Sequence, residues 1–514
     1  MIKREDILHK TTYVWKENEK YTSIIKNDGS RVILNKKDSD IWKIINDDDT
    51  VDDIIRHMKD TMSANQVEDR LEEFIKIGII TNEDMFWGEI MLIMPNSNKN
   101  KQVGYSEKMT MPPLGLISIG GYLKMHGYMV EILDLFTNHI RKQEFIDKIK
   151  NAHPDMIGIS AYTENINAVI HLTKIIKSVL PKIIIVLGGA HVTFLPEEAL
   201  HHNTVDYVCR GEGEMTFVQL LECLNYHTID LSEVKGISYR VGQEIIHNAD
   251  RGYIENLDNL PWAELDEIEM RSYDIKQLII TSRGCPGKCI YCASAALSGT
   301  RYRNRSAQNV FSEIHYKYSI KGEKYFAFLD DTFTANKKRL YQFCDYLKEA
   351  NMNIIWRCDS RTDILSKEMI DKMQEVGCTS VHIGIESGSQ DVINKINKHI
   401  SLERSEELLA YMSQKGLQVM CSFIIGHHCD THETIKETID MALKFRKKYK
   451  ATVGISINTP FPGTYLYNHM KDLGINLEIK NWSSFDLVQA VFSTPNITRA
   501  ELQNYYYEIQ SMVI

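Results

Sequence analysis

Two stretches of this chain repeat one pattern that leaves few folds open: a short, mostly apolar run, a loop of small and polar residues, then an amphipathic segment of helix length. In the first stretch the runs cover residues 90–94, 129–133, 156–160, 183–187 and 205–208. In the second they cover 278–280, 325–329, 354–358, 380–385, 419–425 and 451–457. Strands apolar along their whole length are buried on both faces, and helix-length connections let neighbours run parallel. The pattern predicts an α/β protein with a doubly wound parallel sheet over 89–225 and a barrel-like parallel sheet over 276–480. Parallel sheets bind ligands beyond the carboxyl ends of their strands. Candidate functional residues are therefore sought in the loops that follow each run.

The loop after 278–280 reads Arg283-Gly284-Cys285-Pro286-Gly287-Lys288-Cys289-Ile290-Tyr291-Cys292. A tetrahedral zinc site closes with a fourth Cys or His, and the nearest downstream candidate, His315, falls on a predicted helix. Three cysteines suit a four-iron four-sulfur cluster better, because they leave one iron open to chelate a ligand. The C-x3-C-x2-C spacing of Cys285, Cys289 and Cys292, with aromatic Tyr291 before the last, resembles the signature of the radical S-adenosylmethionine (SAM) superfamily. The resemblance implies that the open iron binds the amino and carboxylate groups of SAM. Electron transfer from the cluster then cleaves SAM to a 5′-deoxyadenosyl radical, chemistry that belongs to the cofactor.

It also implies that the second stretch is a partial (β/α)6 barrel whose SAM-contacting positions are Tyr291, Asp330, Asp331, Arg361, Glu386 and Ser387. Asp330 and Asp331 match the amino-group position, Arg361 the carboxylate position and Glu386 the ribose position. The alternative for Arg361 and Glu386 is an ion pair at the barrel rim. The turn Gly426-His427-His428 departs from the family's Gly-x-Pro-Gly-Glu-Thr form, and its histidines read as surface residues.

The loops of the first sheet contain Pro113-Leu114-Gly115, Tyr162-Thr163-Glu164, Gly188-Gly189-Ala190-His191 and Glu212-Gly213. Glycines there let backbone approach a flat ligand. In this order before the cysteine motif, they resemble the cobalamin-binding domain of B12-dependent radical SAM enzymes, which implies that these residues contact cobalamin. The D-x-H-x-x-G motif that gives cobalt a histidine elsewhere is missing, since Asp134 to His139 does not fit it. His191 reads as a corrin contact or a structural histidine, and cobalamin is expected base-off without a histidine ligand.

Residues 1–88 read as a separate α+β unit: a hairpin over 21–34 with an Asp28-Gly29 turn, then helices capped by Asp38, Thr50 and Ser63. Strands followed by short helices suggest a winged helix. The unit resembles the PqqD-like recognition element of enzymes that modify ribosomally made peptides, which implies that a leader peptide adds a strand to its sheet edge. The alternative is a dimerisation or DNA-binding winged helix, and acidic residues such as Asp47, Asp48, Asp49, Asp52 and Asp53 weigh against DNA. Residues 226–275 read as a linker with a hairpin over 236–246, and 481–514 as a short helical tail whose aromatics pack. No cysteine follows Cys429, so a C-terminal auxiliary cluster is not expected.

The composition, 43% hydrophobic and 25% charged over 514 residues, is that of a globular protein of several domains. The net charge of −9 argues against nucleic acid as a partner. No apolar run is long enough to span a membrane, and ten cysteines without a disulfide framework fit a reducing compartment. A cytoplasmic location is expected, with flavodoxin or ferredoxin as reductant. The function expected from these modules is cobalamin-dependent C-methylation of a ribosomal precursor peptide at an unactivated carbon. One alternative is radical epimerisation or crosslinking, with Cys421 as a candidate hydrogen donor beside Cys358 and Cys378. Another is a noncatalytic peptide-binding protein with a structural cluster. The sequence does not identify the precursor, the modified residue or the oligomeric state.

Overall fold

The computed structural model describes residues 2–4, 8–10, 15–17, 21–25, 31–45, 50–81, 89–96, 110–138, 140–226, 229–263, 273–275 and 277–513. In the N-terminal unit, Tyr21–Ile25 is the central strand of an antiparallel sheet between Trp15–Glu17 and Arg31–Asn35, with Tyr21 opposite Asn35. Helices Lys36–Ile44, Val51–Met58 and Ala64–Lys76 follow, and Ile24, Leu34, Trp42, Ile54, Leu71 and Phe74 bury into a core of their own.

Thr50 and Ser63 close capping boxes with Asp53 and Gln66, as their spacing predicts. The expected cap at Asp38 is corrected. Asn35 leaves the strand extended and accepts from the Asp38 backbone N–H at 3.1 Å, so the helix starts earlier and Asp38 lies in its first turn. The Asp28-Gly29 turn, Asp47, Asp48 and Asp49 lie outside the described residues.

The first large sheet has seven strands. Its parallel part runs Tyr207–Cys209, Ile184–Gly188, Met156–Ser160, Glu89–Met94, Met129–Asp134 in spatial order. The hairpin expected in the linker, Ile237–Val241 with Glu244–His247, is part of this sheet and pairs antiparallel with Tyr207–Cys209. Two apolar layers cover the sheet, one centred on Leu92, Leu123, Phe217 and Leu221, the other on Ile93, Ile159, Val169 and Leu187.

The second sheet has six parallel strands in sequence order: Leu278–Ile279, Tyr325–Phe328, Ile355–Ser360, Cys378–Glu386, Gln418–Ile425 and Thr452–Ile457. Alternate residues such as Trp356, Cys358, Val381, Phe423 and Ile455 pack with Leu340, Ile370, Leu409 and Phe445 of the outer helices. The intervening residues face the concave side, as expected of an open barrel.

The tail is less uniform than a helix alone. Phe492–Ser493 pairs with Asn476–Leu477 before the helix Arg499–Val513, and Phe485 is fully buried. No described helix is long and apolar enough to cross a membrane.

Candidate active site

A cavity of about 350 Å³ lies between the carboxyl ends of the two large sheets. One wall carries Pro113, Gly115, Tyr162, Gly188, Gly189, Glu212 and Gly213, all expected as cobalamin contacts, and the other carries Ile280, Ser282, Arg283, Ser294 and Asp331. The volume is that of a small-molecule site. The first wall leaves room for a ligand, since side chains added at Gly115 or Gly211 would meet no atom within 4 Å. Gly189 serves a different purpose. Its φ of +112° and a would-be Cβ 2.6 Å from the Ala161 carbonyl oxygen let two loops cross in contact.

Leu114, Thr163, Glu164 and His191 lie outside the lining of the main cavity. Leu114 is buried and turned toward a smaller neighbouring cavity. His191 is fully buried, with Nδ1 3.3 Å from Thr163 Oγ1, Nε2 3.5 Å from Glu198, and its ring edge-on to Trp482 at 5.1 Å. Trp482 Nε1 also donates to Glu198 at 2.7 Å, which ties the tail to this domain. His191 is thus structural.

Burial holds the His191 imidazole below its ordinary pKa, against the opposing pull of Glu198. A base kept neutral in the fold but protonated in the unfolded chain adds stability that is complete above about pH 6.5 and lost as pH falls below it. His202, His427 and His428 are shifted the same way, each chiefly by burial. The melting temperature should therefore fall between about pH 7.5 and 5.5, with a shallower slope in His191→Gln. Thermal melts across that range check it.

The cysteine loop is shaped by its surroundings. Gly284, at φ +82°, packs so closely on the Arg301 carbonyl that a side chain there is excluded. Cys285 Sγ lies 3.3 Å from Thr332 Oγ1 and accepts from Gly287 N–H at 3.4 Å. Arg361 Nη1 is 3.7 Å from Cys289 Sγ. All three thiols are free and partly buried, and burial pushes Cys292 up to about 11. Three free thiols on one short loop are the donor set of an iron–sulfur cluster. Cys285, Cys289 and Cys292 could hold one, and metal binding would draw out the thiolates.

Around the loop the expected SAM positions separate. Asp331 opens into the cavity and accepts from Ser294 Oγ. Asp330 is buried, and its carboxylate accepts from the backbone N–H of Thr281 and Ser282 and from Thr281 Oγ1. The Ser387 hydroxyl is likewise engaged, by Thr438 and by Ser389 N–H in a fully buried turn.

Arg361 and Glu386 do not pair with each other. Arg361 is held by Asp363 at 3.0 Å and by the Lys398 carbonyl at 2.6 Å, while Glu386 accepts from Lys398 Nζ at 2.6 Å. Glu386 also sits at φ +71°, the left-handed region, where the strand slips register. Backbone strain of that kind collects at functional sites.

Tyr291 packs on His427 at 5.5 Å between ring centroids, and burial and Glu386 push its phenol well above the ordinary value. His427 is 1% exposed, which corrects the surface reading of the double histidine. Its sequence signal was the departure from the family turn, and that of Lys398 was nil.

Cys421 lies in the barrel core. Burial pushes its thiol to about 12, and it packs among the residues that face the outer helices. Cys358 and Cys378 belong to the same core. The concave face is instead polar: His382 Nε2 lies 2.6 Å from Ser422 Oγ, and His382 Nδ1 lies 3.4 Å from Asp359 Oδ1.

Residues 103–221 match the family described as the B12 binding domain, and residues 279–442 match the radical SAM superfamily. An uncharacterised methyltransferase of Pyrococcus horikoshii is 31% identical over 424 residues, spanning 80% of this chain and 90% of that protein. The hopanoid C-3 methylase of Methylococcus capsulatus is 26% identical over 412 residues, 78% of this chain and 75% of the other.

Among solved structures, the chain resembles the radical SAM methyltransferase TsrM from Kitasatospora setae with cobalamin and a four-iron cluster bound. The TM-score is 0.62 at 16% identity, covering 81% of this chain and 84% of that one. It also resembles the cobalamin-dependent radical enzyme OxsB with aqua-cobalamin and SAM bound, with a TM-score of 0.65 at 18% identity, covering 88% and 68%. These two likenesses are of fold.

Proposed function

The chain belongs to the cobalamin-dependent radical SAM methyltransferases, enzymes of a four-iron cluster, SAM and cobalamin, and from that premise we propose that it methylates a carbon of a ribosomally made peptide. This family sets aside the noncatalytic alternative. When bound, the cluster and SAM supply a carbon-centred radical and cobalamin supplies the methyl group.

The protein's own residues have the remaining tasks in this reading. Cys285, Cys289 and Cys292 hold the cluster, and Asp331, Glu386, Arg361 and Tyr291 surround SAM. The glycine-lined wall at Gly115, Gly188 and Gly213 seats the corrin.

The observation that carries the peptide reading is the N-terminal unit, which precedes both matched stretches. Among the described residues, its strand Arg31–Asn35 pairs on one side only, and Ile33 on it is 61% exposed. Such an edge accepts an added strand, with main-chain hydrogen bonds for affinity and side chains for specificity. The hydrogen-bonding concave face at Asp359, His382 and Ser422 supports a polar substrate as well. A low-potential donor such as flavodoxin or ferredoxin would reduce the cluster.

Anaerobically reconstituted enzyme, given SAM, reductant, cobalamin and the small peptides encoded beside its gene, should yield one peptide heavier by a methylene. Ile33→Asp should weaken that peptide's binding about tenfold and leave peptide-independent SAM cleavage intact. If no neighbouring peptide gains mass while SAM is cleaved, the peptide reading fails and a small molecule is the acceptor.

A further inference from the structure

Arg283 stands two residues before Cys285, yet its guanidinium leaves the barrel for the other domain. Nη2 donates to Glu214 Oε1 and, at 3.4 Å, to Ser118 Oγ; Nη1 donates to Glu214 Oε2 at 3.4 Å and lies 3.5 Å from Glu212. The Ser118 hydroxyl donates to the same Glu214 oxygen at 2.7 Å. Glu214 opens the helix Gly213–Tyr226 at the end of the strand Tyr207–Cys209, beside Gly211 and Gly213 of the cavity wall. Arg303 repeats the contact one strand over, with Nη2 2.8 Å from Glu212 Oε1.

Burial alone would raise the Glu214 pKa, but the charge and hydrogen bonds of Arg283, with the Ser118 hydroxyl, hold it below the ordinary range. A pair buried this deeply does not slide, because separating its members strands a charge away from water.

We propose that Arg283 is a positioning residue through which the cobalamin wall and the cluster loop set each other's place, so that filling one site tightens the other. The reasoning is geometric. The segment that carries the cysteines begins at Arg283, and the turn that borders the corrin seat begins at Glu212. Arg283 joins the two starting points through its ion pairs with Glu212 and Glu214. With Arg283 and Glu214 already paired, the cysteine loop and the cobalamin turn share one anchor, so a ligand that tightens the first would tighten the second through it. Reciprocity then requires cobalamin to favour the loaded cluster by the same factor. The inference rests on the reading that Cys285, Cys289 and Cys292 hold the cluster.

The test measures hydroxocobalamin affinity by absorption titration on full-length protein, once with the cluster reconstituted and once after its removal by chelation. Wild-type protein should bind about tenfold more tightly when the cluster is present. In Arg283→Gln that ratio should collapse to about one. A ratio near one in wild-type protein overturns the proposal, and so does a ratio unchanged in the variant. A mere contact between Arg283 and the corrin would weaken both affinities alike and keep the ratio, which also counts against it.

If Arg283→Gln does not fold, the double variant Arg283→Leu/Glu214→Leu replaces the pair by apolar groups and should show the same loss of ratio. Iron content and the electron paramagnetic spectrum of the wild-type cluster report separately on the cysteine reading. A failure there is distinguishable from a failure of the coupling.

Discussion

Cys289→Ser should fold as the native protein does and cleave no SAM. The thiol is partly buried and lies 3.7 Å from Arg361 Nη1, and a serine of nearly the same size keeps the packing, so stability should change by no more than about 1 kcal/mol. The chemistry has no fallback. Serine does not replace a thiolate on iron, and no side chain around the cavity can cleave the SAM sulfonium bond by one-electron reduction. Iron content and the broad visible absorption of the cluster should fall to background after anaerobic reconstitution, with 5′-deoxyadenosine below detection. The same holds for Cys285→Ser and Cys292→Ser. By contrast Cys421→Ala should keep both signals, since that thiol packs toward the outer helices. A Cys289→Ser protein that still produced 5′-deoxyadenosine would refute the assignment of the trio.

Gly115→Phe should abolish cobalamin binding without harm to the fold. Gly115 is the second residue of the helix Leu114–Met125 and lines the cavity, and a side chain there meets nothing within 4 Å. Its backbone is not left-handed, so no strain accompanies the change, and replacing a helical glycine gains a few tenths of a kcal/mol. The ring enters space that the corrin needs. Hydroxocobalamin affinity should drop at least about a hundredfold, the loss of roughly 2.7 kcal/mol, while the melting temperature holds or rises. Cluster content and peptide-independent SAM cleavage should persist, because Cys285, Cys289 and Cys292 do not line that wall. Methyl transfer should vanish. Retained cobalamin in this variant would place the corrin elsewhere.

The candidate site was legible in the sequence where a local rule governs it. Spacing alone puts Cys285, Cys289 and Cys292 on one short loop, and small residues after strand ends mark the cavity wall at Gly115, Gly188, Gly189 and Gly213. The errors share one cause. Asp330 and Asp331 are adjacent, yet one is captured by the Thr281 backbone and the other opens on the cavity. Ser387 and His191 carry suitable chemistry but spend it on buried partners 51 and 28 residues distant. The double histidine at 427 and 428 read as surface because the ring that covers His427, Tyr291, comes from the cysteine loop.

By itself the sequence determined the classes of secondary structure, the parallel pairing within the two α/β sheets, and the spacing of the sulfur trio. These follow from periodicity and short-range spacing, which no distant contact needs to supply. Only the tertiary structure decided which face of each barrel strand turns inward. The strand Gln418–Ile425 carries apolar residues on both faces, so Cys421 and Ser422 are indistinguishable candidates until the helices pack against one of them. It also decided that Arg283 crosses to Glu214, because the worth of a buried ion pair depends on two charges meeting away from water, and chain proximity does not arrange that meeting.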